Sequence, residues 1–279
     1  MYLRILLSFI LLSLLSDHAI GQTKIMSYNI RYDTDYDNEN SWDKRKPDLI
    51  NLIARYKPDI FGVQEGLKNQ VDFIKNNLSD YEYTGVGRDD GKSRGEYSAI
   101  FYNFSKFKLL KSNTFWLSRT PEKVSVGWDA ALPRICTMGV FQNLKTLDSL
   151  YVFNAHFDHI GKVSRNLSAA LIVEKIKELG LLRKKLVVMG DFNSESFDQP
   201  IQILSMALED ALIISDNKRI GPIGTFNGFK KAHIPKKRID YVFSRNLDVT
   251  AYIHVDDRRS NGLWVSDHLP VFVEFRSKF

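Results

Sequence analysis

Six stretches of the chain join an apolar, strand-like run to a group that can bind a cation or handle a proton. Lys24 to Asn29 ends on Asn29, Asp59 to Glu65 on Glu65, and Leu150 to His156 on His156. Leu186 to Asp191 ends on Asp191, with Asn193 close behind. Arg238 to Phe243 reverses the order and carries Asp240 near its start, and Asp267-His268 stands just ahead of Val271 to Phe275. Each of these groups taken alone reads as a strand cap or turn residue. Six together are harder to explain that way, because strand ends on one rim of a sheet converge in space. The carboxylate and amide oxygens are hard donors that suit Mg2+, Mn2+ or Ca2+. With Cys136 the only cysteine, there is no intramolecular disulfide and no Cys/His cluster for a structural zinc. A buried, inert thiol is its ordinary reading.

Helical spacing separates several of these runs. Leu49, Ile50, Ile53 and Ala54 form one stripe, and Val71, Ile74 and Leu78 another. Leu167, Leu171, Ile172, Ile176 and Leu179 mark a longer helix that Gly180 would cap. Residues 81–117 and 134–157 read as successive strands. The mixture predicts an α/β chain with two β-sheets packed face to face and helices outside, rather than a simply alternating wound sheet.

The 279 residues, 44% of them hydrophobic, suffice for one large domain, and no repeat or linker divides them. Arg4, the apolar run Ile5–Leu15 and the small-x-small triplet Ala19-Ile20-Gly21 read as a signal peptide over 1–21. The run is too short to span a bilayer, and no cysteine follows it to carry a lipid. Export to the periplasm or beyond is expected, with a mature domain over 22–279. The formal net charge is +6. It suits an anionic ligand without specifying one.

Taken in order, MSYNIR, GVQE, FNAHFDH, VMGDFNS, RIDYVF and SDHLPV resemble the motifs of the endonuclease/exonuclease/phosphatase superfamily, which includes pancreatic-type deoxyribonucleases and apurinic-site endonucleases. Gly87 to Lys92 and Gly127 to Ala131 resemble a secreted bacterial branch of it. The resemblance implies a four-layer α/β sandwich and a divalent-metal-dependent phosphoesterase. His268 would be the general base, or an imidazolium facing the phosphate, oriented by Asp240. Such a carboxylate fixes the imidazole tautomer and supports its positive charge. Glu65 would hold the cation with Asn29 and Asp267 nearby. Asp191 and Asn193 would position water and phosphoryl oxygens, and His156 would face the phosphate. Apurinic-site endonucleases keep an acidic residue where this chain has Arg31. A single Mg2+ is therefore expected, with Mn2+ or Ca2+ as alternatives, and Arg31 is assigned to substrate phosphate together with His159 and Arg165.

Other features are ambiguous. Asp33 to Asn38 mimics the start of an EF-hand loop but has Asn38 at the glycine position and Lys44 at the final glutamate position, so it reads as a solvated acidic loop. The run Lys230 to Arg238 is an ordinary basic loop or a guide for polyanions. Trp128 and Arg134 are a packed tryptophan and a surface arginine, or else part of a substrate rim. The expected partner is a phosphorylated small molecule or a nucleic acid. A monomer with no membrane insertion and no protein partner is expected. A catalytically silent phosphate- or glycan-binding module is the competing class, and a glycosidase lacks a defensible carboxylate pair.

Overall fold

The computed structural model describes residues 22–278 apart from 233, so the expected signal peptide lies outside the described residues. The chain runs β1 (Thr23–Asn29), α1 (Trp42–Tyr56), β2 (Ile60–Gln64), α2 (Lys68–Asn77), β3 (Tyr81–Thr84), β4 (Ile100–Asn103) and β5 (Phe107–Trp116). It continues through β6 (Ile135–Asn143), β7 (Ser149–His156), α3 (Lys162–Glu178), β8 (Lys185–Asp191), α4 (Gln199–Ser205) and β9 (Glu209–Asp210). The short α5 (Ala211–Ile214), β10 (Asp240–Arg245), β11 (Leu247–His254) and β12 (Val271–Ser277) complete it. Two six-stranded mixed sheets result, ordered β11-β12-β1-β2-β4-β3 and β5-β6-β7-β8-β10-β9.

Alternation along the strands explains the layering. In β8, Val187 and Met189 enter the core between the sheets, whereas Leu186 and Val188 face the helix side. Strands buried on both faces read as continuous apolar runs for this reason. Ile172 and Ile176 of α3 cover one sheet, and Leu49, Leu52 and Ile53 of α1 the other, which makes four layers. Ala54, assigned to the α1 stripe from spacing, faces solvent, and Leu52 takes its place. Gly180 adopts a φ of 66°, as a left-handed cap requires.

The topology also explains why two polar groups open their strands. β1 and β2 are parallel, as are β7 and β8, so these four strands deliver their C-terminal ends to one rim. β10 runs antiparallel to β8 with Asp240 opposite Asp191, and β12 runs antiparallel to β1 with Val271 opposite Ser27. Their starts therefore meet the other strands' ends. A buried amide link joins the sheets near this rim: Asn154 Nδ2 donates to the carbonyls of Val63 and Ala99, each at 2.9 Å, and Gln64 Nε2 donates to Asn154 Oδ1 at 2.6 Å.

Three details differ from the sequence reading. Residues 85–99 form a looped excursion and not strand, β11 and α4 carried no signal recognised in advance, and Arg238-Ile239 precede β10. At Gly190 the backbone φ is 149°, and a Cβ would sit 1.9 Å from the Ala155 carbonyl oxygen across the β7–β8 ladder. Gly190→Ala should cost at least ~2 kcal/mol in urea unfolding. Gly180→Ala, left-handed but with no neighbouring atom within 4 Å, should cost only about 1 kcal/mol. Equal losses would show that crowding at Gly190 is irrelevant.

Candidate active site

The rim opens into a cleft of about 740 Å³ lined by Arg31, Glu65, His156, Asp191, Asn193 and His268, among others. Arg31, Glu65 and Asn193 adopt positive φ values of 56°, 64° and 46°. Non-glycine residues seldom hold that conformation, and it concentrates at functional sites. Each lies just past a strand end, where the chain must leave the sheet sharply. Buried Arg45 braces the turn after β1 by donating to the carbonyls of Ile30 (2.5 Å) and Arg31 (2.6 Å).

On the floor of the cleft, His268 Nδ1 lies 2.8 Å from Asp240 Oδ2, and His268 Nε2 lies 3.8 Å from Asp191 Oδ2. Burial alone would lower the His268 pKa, but the Asp240 and Asp191 charges and the bond to Asp240 outweigh it and hold the ring well above its ordinary value. His268 thus stands between two carboxylates that favour its charged form. Burial and repulsion from Asp240 raise Asp191, and burial raises Asp267 to about 6.

Asn29 ties this floor to the next wall. Its Nδ2 donates to Glu65 Oε1 and to Asp191 Oδ2, both at 3.0 Å, while its Oδ1 accepts from the Arg31 amide at 3.0 Å. In this arrangement Asn29 aligns the two carboxylates, and its oxygen points away from them. Asn193 is held by its own backbone bond to Asp191 Oδ1 (2.9 Å) and donates through Nδ2 to the Phe157 carbonyl (3.0 Å). His156 sits 3.5 Å from Asp191 Oδ2. Burial, with Arg134 as the second cause, lowers its pKa to about 3, so it is neutral.

Glu65, His156 and Asp191 present ligand atoms that all lie within 4.8 Å of one another, as do those of Asp191, Asp240 and His268. A divalent cation at Glu65 and Asp191 fits the hard donor set that these carboxylates present.

Arg31 reaches the cleft, but Asp37 of the acidic loop holds it through two bonds of 2.9 and 3.0 Å. Arg165, assigned to substrate from sequence, is not among the residues lining the cleft and donates to the Asp158 carbonyl at 2.9 Å. Arg134 is 3% exposed and lines the cleft, so it is no surface arginine. Glu96, Tyr32 and Phe226 also line it and were missed, and Lys237 lines it from the basic run read as a guide for polyanions. Glu96 lies in the irregular excursion, where no periodicity marks it.

A two-sheet sandwich whose rim gathers carboxylates, amides and imidazoles into one polar cleft defines a class of phosphoester hydrolases. The family model described as Endonuclease/Exonuclease/phosphatase family matches residues 26–268, and the chain belongs to that family. A Bacteroides thetaiotaomicron protein of the same family shares 38% identity with a TM-score of 0.89, over 93% of this chain and 99% of that one. A mannosyl-6-phosphatase from the same organism shares 38% identity with a TM-score of 0.86, over 91% and 99%. An uncharacterized protein of Acanthamoeba polyphaga mimivirus is 29% identical over 270 residues, 90% of this chain and 99% of its own length.

Proposed function

We propose that the protein is an exported, divalent-metal-dependent phosphatase that removes phosphate from a small phosphorylated carbohydrate. The Asp240–His268–Asp191 chain on the cleft floor carries the catalytic part of this reading. The likeness to a mannosyl-6-phosphatase along nearly the whole of both chains supports the substrate class. A cation held by Glu65 and Asp191 would supply charge neutralisation at the phosphoryl oxygens. His268, in the charged form that Asp240 and Asp191 favour, offers its Nε2–H to a phosphoryl oxygen as negative charge grows there, and Asp240 keeps it oriented. Asp191, aligned by Asn29 and Asn193, accepts a hydrogen bond from the attacking water. Asn193 and neutral His156 frame the phosphoryl position without adding charge.

Lys237 in the cleft wall favours a second reading, a phosphodiesterase acting on a polyanion. A panel of hexose phosphates, p-nitrophenyl phosphate, its bis ester, DNA and RNA, each with Mg2+, Mn2+ or Ca2+, separates the two. Preferred turnover of monoesters supports the phosphatase. Preferred turnover of the bis ester or nucleic acid overturns it, and phosphate binding without turnover of any compound marks a silent module.

Among the described residues no helix is long and apolar enough to cross a membrane. Export rests on the leader pattern alone. Intact mass of protein from the native host should correspond to a chain starting at Gln22; a full-length, membrane-attached species would refute it.

A further inference from the structure

Arg134 is anchored from below. Its Nε lies 3.3 Å from Asp158 Oδ2. Asp158 is fully buried and accepts backbone N–H groups from Ala131 (3.1 Å), Ile160 (3.0 Å) and Gly161 (2.7 Å). Asp129 of the Gly127–Ala131 stretch binds the first turn of α3 at the Ser164 (2.6 Å) and Val163 (3.2 Å) amides. On the other side Glu96 is gripped by both terminal nitrogens of Arg88 at 2.6 and 2.7 Å, and lies 3.9 Å from Arg134. The two stretches that resemble the secreted branch therefore build one wall, which presents Arg134 to the cleft.

From that wall Arg134 NH2 reaches His159 Nδ1 at 2.9 Å. A guanidinium has donors only, so this contact requires a lone pair on Nδ1 and leaves the proton on Nε2. Among the described residues no other group bonds the His159 ring. His156 differs, since both its ring nitrogens have partners: Arg134 lies 3.1 Å from Nδ1, and Asn193 (3.2 Å) and the Asp191 carboxylate (3.5 Å) face Nε2. His159 is exposed where His156 is buried, and both line the cleft. Both Glu96 oxygens accept from Arg88, and a carboxylate has lone pairs to spare for a hydroxyl donor.

We propose that Arg134 is a positioning residue that fixes His159 as an Nε2–H donor, and that His159 and Glu96 together read hydroxyl groups on the part of the substrate that carries the phosphate. The substrate class is a phosphorylated polyol, and the inference rests on the phosphoesterase reading above. The donor and the carboxylate form a complementary pair for neighbouring hydroxyls, each able to take the role the other cannot.

Two measurements test it. Long-range proton–nitrogen NMR of the full chain should show the His159 proton on Nε2; an Nδ1-protonated ring would overturn the proposal whatever the activity. Kinetics should compare a hexose 6-phosphate with p-nitrophenyl phosphate, which has no hydroxyls to read. His159→Ala and Glu96→Gln should each raise KM for the sugar phosphate about tenfold more than for the aryl phosphate, the loss of roughly one hydrogen bond. Equal effects on the two compounds would overturn the subsite while leaving the phosphatase intact. A wild type that hydrolyses neither would refute the monoester phosphatase reading instead. Arg134→Met, if it folds, should add Nδ1-protonated His159 to the spectrum.

Discussion

His268→Ala is expected to lower kcat by about 10²–10⁴-fold on any substrate the wild type turns over, with a smaller change in KM. The ring is buried, bonded to Asp240 at 2.8 Å and poised 3.8 Å from Asp191. Its charge acts on the phosphoryl group only as negative charge accumulates, so its removal penalises the transition state more than the bound substrate. Asp240→Asn should fall in the same direction, because the amide can neither support the imidazolium charge nor hold its tautomer. The double variant should be little worse than His268→Ala, since the pair acts as one unit. Additive losses would mean that the residues work separately. His268 also packs edge-on against Phe226 at 5.0 Å, so thermal melts of each variant are needed to distinguish lost chemistry from lost fold.

Glu65→Gln should reduce metal-dependent turnover by roughly a hundredfold or more. Glu65 accepts from Asn29 Nδ2 at 3.0 Å and from the Tyr32 amide at 3.2 Å. Glutamine keeps the shape but replaces one of these two accepting oxygens with a donor, so the variant loses the charge together with one of the two hydrogen bonds. Calorimetry with Mg2+ gives a readout independent of catalysis: the wild type should bind and the variant should bind much more weakly. Full activity of Glu65→Gln at limiting Mg2+ would exclude Glu65 as the metal ligand.

Local chemistry makes much of this legible in one dimension. A strand buried on both faces must be apolar, so a polar residue at its end stands out, and Asn29, Glu65, His156, Asp191 and His268 all do. Alternation and helical spacing located most of the strands and three of the longer helices for the same reason. Those signals depend on a residue's own neighbours along the chain.

Long-range pairing decided the rest. Whether Asp240 at the start of β10 meets Asp191 at the end of β8 depends on their antiparallel register, which no local pattern encodes. Glu96 sits in an excursion whose shape is fixed by contacts to Arg88 and the Gly66 carbonyl. Arg134 and Arg165 are the same residue type, yet the first is buried in the cleft wall by Asp158 and the second is diverted to the Asp158 carbonyl. A guanidinium goes where acceptors are already fixed, and those acceptors belong to residues brought together only when the sheets pack.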